Sequence, residues 1–124
     1  SGGTLSFDGK FENSAMIEII CKNNISIGKN VLTSWDILMM DTDFHQTKNV
    51  CDMTRNCADG KIVIGDDVWI GARCVVLKNS AIPKGCVVGA NTTVNKSFSE
   101  ENCLLVGYPA EVKKHDITRV KENE

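Results

Sequence analysis

The sequence predicts an all-β fold: a single-stranded parallel β-helix solenoid of triangular coils, broken by one long excursion loop and finished by a short C-terminal segment. Three observations predict it. Ile64, Ile70, Val76, Ile82, Val88 and Val94 recur six apart, a spacing that is neither helical nor strand-like and that marks a repeat architecture. Four positions after each stand Val68, Cys74, Ser80, Cys86, Thr92 and Phe98, all but the last small or medium in size. Gly65, Gly71 and Gly89 follow the aliphatic residue directly, and the next positions hold Asp66-Asp67, Lys78-Asn79, Lys84-Gly85 and Asn91, residue types that tolerate the left-handed backbone of a tight corner.

Each hexad therefore reads as a short strand and a corner, its aliphatic side chain pointing inward. Three such sides close a coil, and the next coil sets each residue under the one eighteen positions on, at the strand spacing of roughly 4.8 Å. Ile64 is then expected on Ile82, Ile70 on Val88 and Val76 on Val94, a continuous apolar column stabilised between nearest neighbours. Upstream the phase is looser, in Ala15 with Ile19, Cys21 with Ile25, Ile27-Gly28 with Val31, and Thr33 with Ile37 and Met39. Ile27 and Ile64 are not a multiple of six apart, so residues 40–61 are expected to leave the coil as a polar, irregular loop, and a loop of that length is usually functional. The phase ends after Phe98. A turn at Gly107-Tyr108-Pro109, a short segment or helix, and a fraying charged tail over 109–124 complete a single domain over 1–124.

At 124 residues, with 42% hydrophobic and 24% charged residues, the chain is long enough for one core and too ordered in composition for disorder. A net charge of −2 argues against nucleic acid, whose partners carry a Lys/Arg excess. The sequence shows neither an apolar run of spanning length nor a charged-then-apolar leader, and Ser1-Gly2-Gly3 without Met reads as a trimmed end. Of six cysteines, Cys74 and Cys86 fall on inward hexad positions, where a free thiol behaves as a small hydrophobe. Cys51 and Cys57 form no CxxC, and two histidines support zinc poorly. The expected compartment is cytoplasmic and reducing.

Three motifs sharpen the pattern: "SWDILMMDTDFH" before the loop, "KIVIGDDVWIGARCVV" after it and "GYPAEVKK" near the end. From about Thr4 to Lys114 the chain resembles the hexapeptide-repeat acyltransferases, and the last motif is similar to the closing segment of sugar and polysaccharide O-acetyltransferases. The resemblance implies a left-handed parallel β-helix, a handedness opposite to that of ordinary crossovers. It also implies acetyl transfer from acetyl-CoA, with no metal, to a hydroxyl in preference to an amine, on a sugar or surface-polysaccharide precursor.

His45 stands where coil gives way to loop, as does the general-base histidine of that family. A lone loop histidine is otherwise a surface residue, but imidazole suits removal of a hydroxyl proton near neutral pH. Asp43 is the candidate to orient that ring and Asp41 to bind the acceptor, each with a turn-capping carboxylate as the alternative. For the donor, Gly71-Ala72 lies under Gly89-Ala90, the one corner column stripped of side chains. Bare backbone there suits a thin pantetheine arm; small residues also simply permit a tight corner. Trp69, an outward position, either packs on another subunit or covers the coenzyme arm, and the resemblance places it at the coenzyme. The family's oxyanion donor falls on the Ala72 N–H. Lys96, Lys113 and Lys114 are the cations available for coenzyme phosphates, with solvated surface lysines as the alternative. Trp35 either stacks on a sugar ring or sits at a subunit contact.

Other classes remain weighed. A zinc hydratase on the same helix needs three imidazoles, and only His45 and His115 exist. A cysteine nucleophile lacks a base partner for Cys51 or Cys57. A non-catalytic scaffold would need neither the long loop at His45 nor the bare corner. Apolar residues at the outward sixth position, Val63, Trp69, Val75 and Val87, form a stripe that seeks cover, and with the family resemblance they predict a homotrimer with sites between subunits.

Overall fold

The computed structural model describes residues 2–122 and 124. Among these every regular element is a strand. The first coil holds β1 (Thr4–Phe7) and β2 (Phe11–Ile20), and the second β3 (Asn24–Ile27) and β4 (Val31–Met40). After the excursion come β5 (Lys61–Ile64), β6 (Trp69–Ile70) and β7 (Val75–Leu77), then β8 (Ser80–Ile82), β9 (Val87–Val88) and β10 (Thr93–Val94). A last, partial coil carries β11 (Leu104–Gly107), which turns back into β12 (Ala110–Lys114).

Between coils every pairing is parallel. One face runs β1-β3-β5-β8. The long β4 bends round a corner, pairing β6 through Leu32 and Thr33 and β7 through Leu38 to Met40, so two sides of the prism join in one sheet. The expected stacks are present: Ile64 pairs Ile82, Ile70 pairs Val88, and Val76 pairs Val94. All six side chains are buried, as are the intervening Val68, Cys74, Ser80, Cys86 and Thr92. Alternation of inward and outward side chains explains the pattern, since a hexad gives each side of the prism one aliphatic and one smaller inward residue.

Upstream the stack keeps its faces but not its count. Phe7 pairs Ile27, an offset of 20, and Ile27 pairs Ile64, an offset of 37. The chain thus leaves after Met40 and re-enters at Lys61 in the register of an unbroken coil. At the other end Leu105 pairs Val88 at an offset of 17, so the solenoid continues past Phe98 after the six-residue phase has lapsed. In the first described coil Leu5 and Phe7 hold the register positions of Ile25 and Ile27 and are 39% and 43% exposed.

At the C-terminus the expected short segment is present, and the expected fraying is replaced by anchoring. The segment after Pro109 is not helical but the antiparallel strand β12, because the free edge of β11 offers a ladder to a segment too short to make a stable helix. The charged tail does not fray. Ile117 N–H donates to the Asn102 carbonyl at 2.7 Å, Arg119 Nη2 donates to the Asn30 carbonyl, and Lys121 Nζ lies 3.2 Å from Asp67. It runs as a strap from the last coil back to the second, and polar corners supply its anchors.

Candidate functional site

The excursion expected to be irregular is an ordered hairpin arm. Its neck is an antiparallel bridge between Thr42 and Asp59, with Thr42 Oγ1 donating to Asp59 Oδ1 at 2.6 Å and Asp43 N–H to the Ala58 carbonyl at 2.9 Å. Farther out, Thr47 N–H donates to Asn56 Oδ1 at 2.7 Å, and Lys48 faces Arg55 across a second antiparallel bridge. The tip turns on Asn49, whose backbone exchanges hydrogen bonds with Met53 and Thr54 at 2.8 Å.

Asp41 fixes the arm to the coil. Its fully buried carboxylate accepts from the amides of Lys22, Asn23 and Asn24 at 2.7, 2.9 and 2.7 Å. Three backbone donors on one carboxylate satisfy a corner that would otherwise lack acceptors. Asp41 thus does the capping that was the alternative to an acceptor role. Asp43 pairs with Lys78 Nζ at 2.8 Å. That ties one of its oxygens to the solenoid. Lys78, only 16% exposed, also donates to the Cys57 carbonyl at 2.7 Å and so ties both limbs of the arm. Leu77 pairs Met40, so Lys78 stands one coil above the point of departure; the sequence reading missed it because that register was not yet known. His45 is exposed on the outgoing limb after Phe44, which has φ 61°. Among the described residues no hydrogen bond holds its ring.

A different corner carries the donor-site candidates. Gly71 N–H donates to the Val88 carbonyl at 2.8 Å, and a β-carbon on Gly71 would stand 2.8 Å from the same oxygen. Gly65 meets the same constraint at the neighbouring corner, where its β-carbon would lie 2.6 Å from Lys84 N. The tight-corner alternative thus accounts for Gly71, and what lies bare there is Ala72 and Ala90. Among the described residues neither amide N–H has a hydrogen-bond partner. One corner away, the Lys29 N–H is capped by Asp66 Oδ1 at 2.8 Å, a service that alanine cannot perform. The result is a short ladder of open donors along the edge of the prism.

Register extends this column in both directions. Arg73 N–H donates to the Trp35 carbonyl and Asn91 N–H to the Ala72 carbonyl, at 2.8 and 2.9 Å, so Trp35, Ala72 and Ala90 lie on successive coils. Trp35 is 59% exposed below the open amides. Trp69, 37% exposed, anchors its indole through Nε1 to Ser34 Oγ at 3.2 Å, which brings both tryptophans to one edge. Sequence reading passed over two further residues there: the exposed Arg73 within "WIGARC", and Tyr108, which follows the segment stacked on Gly89-Ala90.

The predicted phosphate lysines are not gathered there. Lys96 lies at another corner, paired with both Glu111 oxygens at 3.1 Å and 5.3 Å from the centre of the Phe98 ring. Lys113 and Lys114 are exposed on β12 at the top of the stack. The arm leaves after Met40, between β4 and β5, and the open corner lies before β7, so one side of the prism separates the base of the arm from Ala72. A cavity of about 310 Å³ lies elsewhere, beneath the C-terminal strap against Lys10, Asn30 and Leu32.

The buried thiols are structural. Burial first, then the neighbouring Cys86, pushes Cys103 up to about 12, and burial raises Cys74. Burial and then the Asp41 carboxylate raise Cys21. Such thiols are poor nucleophiles. Cys51 and Cys57 are free and exposed on the arm, and among the described residues no three metal-ligand side chains converge. No described helix is long and apolar enough to cross a membrane.

Residues 61–96 match the bacterial transferase hexapeptide family, described by six repeats. The chain is similar to an uncharacterized 24.8 kDa protein in the cps region of Klebsiella pneumoniae, 40% identical over 101 residues covering 82% of this chain and 44% of that protein. It is 28% identical to the putative lipopolysaccharide biosynthesis O-acetyl transferase WbbJ of Escherichia coli K12, over 89% of this chain and 60% of the relative. The crystallographic structure of the polysialic acid O-acetyltransferase OatWY superposes with a TM-score of 0.80 at 30% identity, over 95% of this chain and 57% of that one. This chain spans about half the length of the curated relatives it matches.

Proposed function

We propose that this chain, which carries the hexapeptide repeat of the bacterial transferases on a left-handed parallel β-helix, moves an acetyl group from acetyl-CoA to a hydroxyl of a sugar or surface-polysaccharide precursor. The observation that carries the reading is the corner column at Ala72 and Ala90, where the amide N–H groups have no partner among the described residues and the side chains above them are only methyls. A preorganised N–H aimed at a developing oxyanion contributes about 3 kcal/mol to the transition state. Similarity to a putative lipopolysaccharide biosynthesis O-acetyl transferase and to a polysialic acid O-acetyltransferase supports a carbohydrate acceptor.

In this mechanism the His45 imidazole takes the acceptor hydroxyl proton as the oxygen attacks the thioester carbonyl. The carbonyl π electrons move onto oxygen, held by the Ala72 N–H. Collapse of the tetrahedral adduct expels the coenzyme thiolate, which takes the proton back from the imidazolium, leaving an ester and a free thiol. Trp69 flanks the coenzyme arm beside Gly71, Ala72, Gly89 and Ala90, and Trp35 borders the same groove. Arg73 is better placed than Lys96 for a coenzyme phosphate, since it adjoins Ala72 and Lys96 is held by Glu111; Lys113 and Lys114 remain candidates at the top.

In this reading the working unit is a homotrimer in which the arm of one copy reaches the open corner of the next, which suits an arm whose base lies one side of the prism away from Ala72. Six free cysteines suit a cytoplasmic setting, and the 1–124 segment acts as one domain. The test is thiol release from acetyl-CoA with a sugar panel. Release in the wild-type chain that is lost in His45→Ala, with unchanged circular dichroism, supports the reading; equal release in that variant removes the base.

A further inference from the structure

The arm holds two cations that its own structure leaves unanswered. Lys48 and Arg55 stand directly opposite across an antiparallel bridge, a position where like charges repel. The carboxylates beside them are already engaged: Asp43 by Lys78, Asp52 by the Thr54 amide and hydroxyl at 2.9 and 2.8 Å, and Asp59 by the Thr42 hydroxyl. Among the described residues neither cation has an ion-pair partner. With Gln46 and Thr47 they line a hollow of about 290 Å³. Asn56 fixes its floor, accepting from Gln46 Nε2 through its carbonyl at 2.9 Å and from the Thr47 amide through its side chain at 2.7 Å.

We propose that this hollow is an anion subsite and that the acceptor carries a carboxylate or a phosphate, seated between Lys48 and Arg55. The guanidinium fork matches either group with two parallel hydrogen bonds, and the lysine adds a point charge. An anion between them turns a repulsive pair into an attractive one. His45 precedes Lys48 by three residues, and an extended chain spans at most about 11 Å over that length. The charged group then lies within one or two sugar units of the hydroxyl that reacts. The inference rests on the acetyl-transfer reading for its meaning, but not for its measurement.

Calorimetric titration of the full chain without coenzyme tests it with three probes: an oligosialic acid for the carboxylate, glucose 1-phosphate for the phosphate, and maltotriose as the neutral control. At least one anionic probe binds, weakens with added salt, and loses about tenfold in affinity in Lys48→Gln/Arg55→Gln. Whichever anionic probe binds identifies the source. Arg55→Lys keeps the charge and breaks the fork, so it loses part of that affinity. Both side chains are exposed, and circular dichroism checks that the variants fold. His45→Ala retains binding even if it abolishes turnover. Equal affinity of the double variant, or maltotriose binding as tightly as both anions, overturns the subsite. Anion binding as described, without thiol release from acetyl-CoA, would instead overturn the transferase reading and leave the subsite standing.

Discussion

Gly71 lies against Val88 so closely that the oxygen accepting its N–H at 2.8 Å would also stand 2.8 Å from any β-carbon placed on it. Backbone cannot retreat there without parting two coils. Gly71→Ala is expected to cost about 2 kcal/mol, read as a lower urea midpoint at unchanged m-value. At Gly89 the β-carbon would meet only Val106 Cγ2 at 3.0 Å, an obstacle a small side-chain shift relieves. Gly89→Ala should therefore lose less than half as much; equal losses would refute this account of the corner.

Asp41 offers a second test, since its carboxylate is the common acceptor for three amides. Asp41→Ala removes the shared acceptor of three part-buried bonds and should destabilise by roughly 2 kcal/mol. Hydrogen exchange should quicken at Lys22 to Asn24 and along the arm, more than at Ile70 or Val88. Uniform quickening would mean that Asp41 does not anchor the arm.

His115 and Glu100 set a pH dependence at the last coil. The Glu100 carboxylate 2.5 Å from His115 Nδ1 raises the imidazole above its ordinary 6.5, first through the hydrogen bond and then through charge. A folded-state value above the unfolded one gives stabilisation that is complete below about 6.5 and fades as pH rises through the higher folded value. An NMR titration of the ring should show a midpoint above 6.5, and Glu100→Gln should lower it. Identical midpoints in the two proteins would dismiss the pair.

The middle of the solenoid was legible because each inward position of Ile64 to Val94 obeys one count, and a chain that packs a prism must repeat that count. The ends were not. Phe7 on Ile27 and Leu105 on Val88 keep their faces at offsets of 20 and 17, since a corner absorbs an extra or missing residue without turning a strand over. The hairpin order of the arm was hidden because Asp41, Thr42 and Asn56 hold it through side-chain bonds to polar groups, which leave no apolar period. Placing Trp35 beneath Ala72 required the 37-residue offset, and no count of sixes supplies it. For the same reason the sequence offered Asp41 to bind the acceptor, Asp43 to orient the imidazole and Lys96 for a phosphate without showing their bonds to the Lys22–Asn24 amides, to Lys78 and to Glu111. The roles proposed for His45 and Ala72 call for a neighbouring copy, and a single chain has no pattern that would spell out such a meeting.

Ile27 and Ile64 meet across the base of the arm as though nothing had been inserted between them. An insertion whose two ends coincide can be lengthened, shortened or exchanged with no rewinding of the spiral. Change can then accumulate on the arm while the column beneath it stays fixed, so that descendants of one scaffold diverge in this appendage without diverging in the body that bears it.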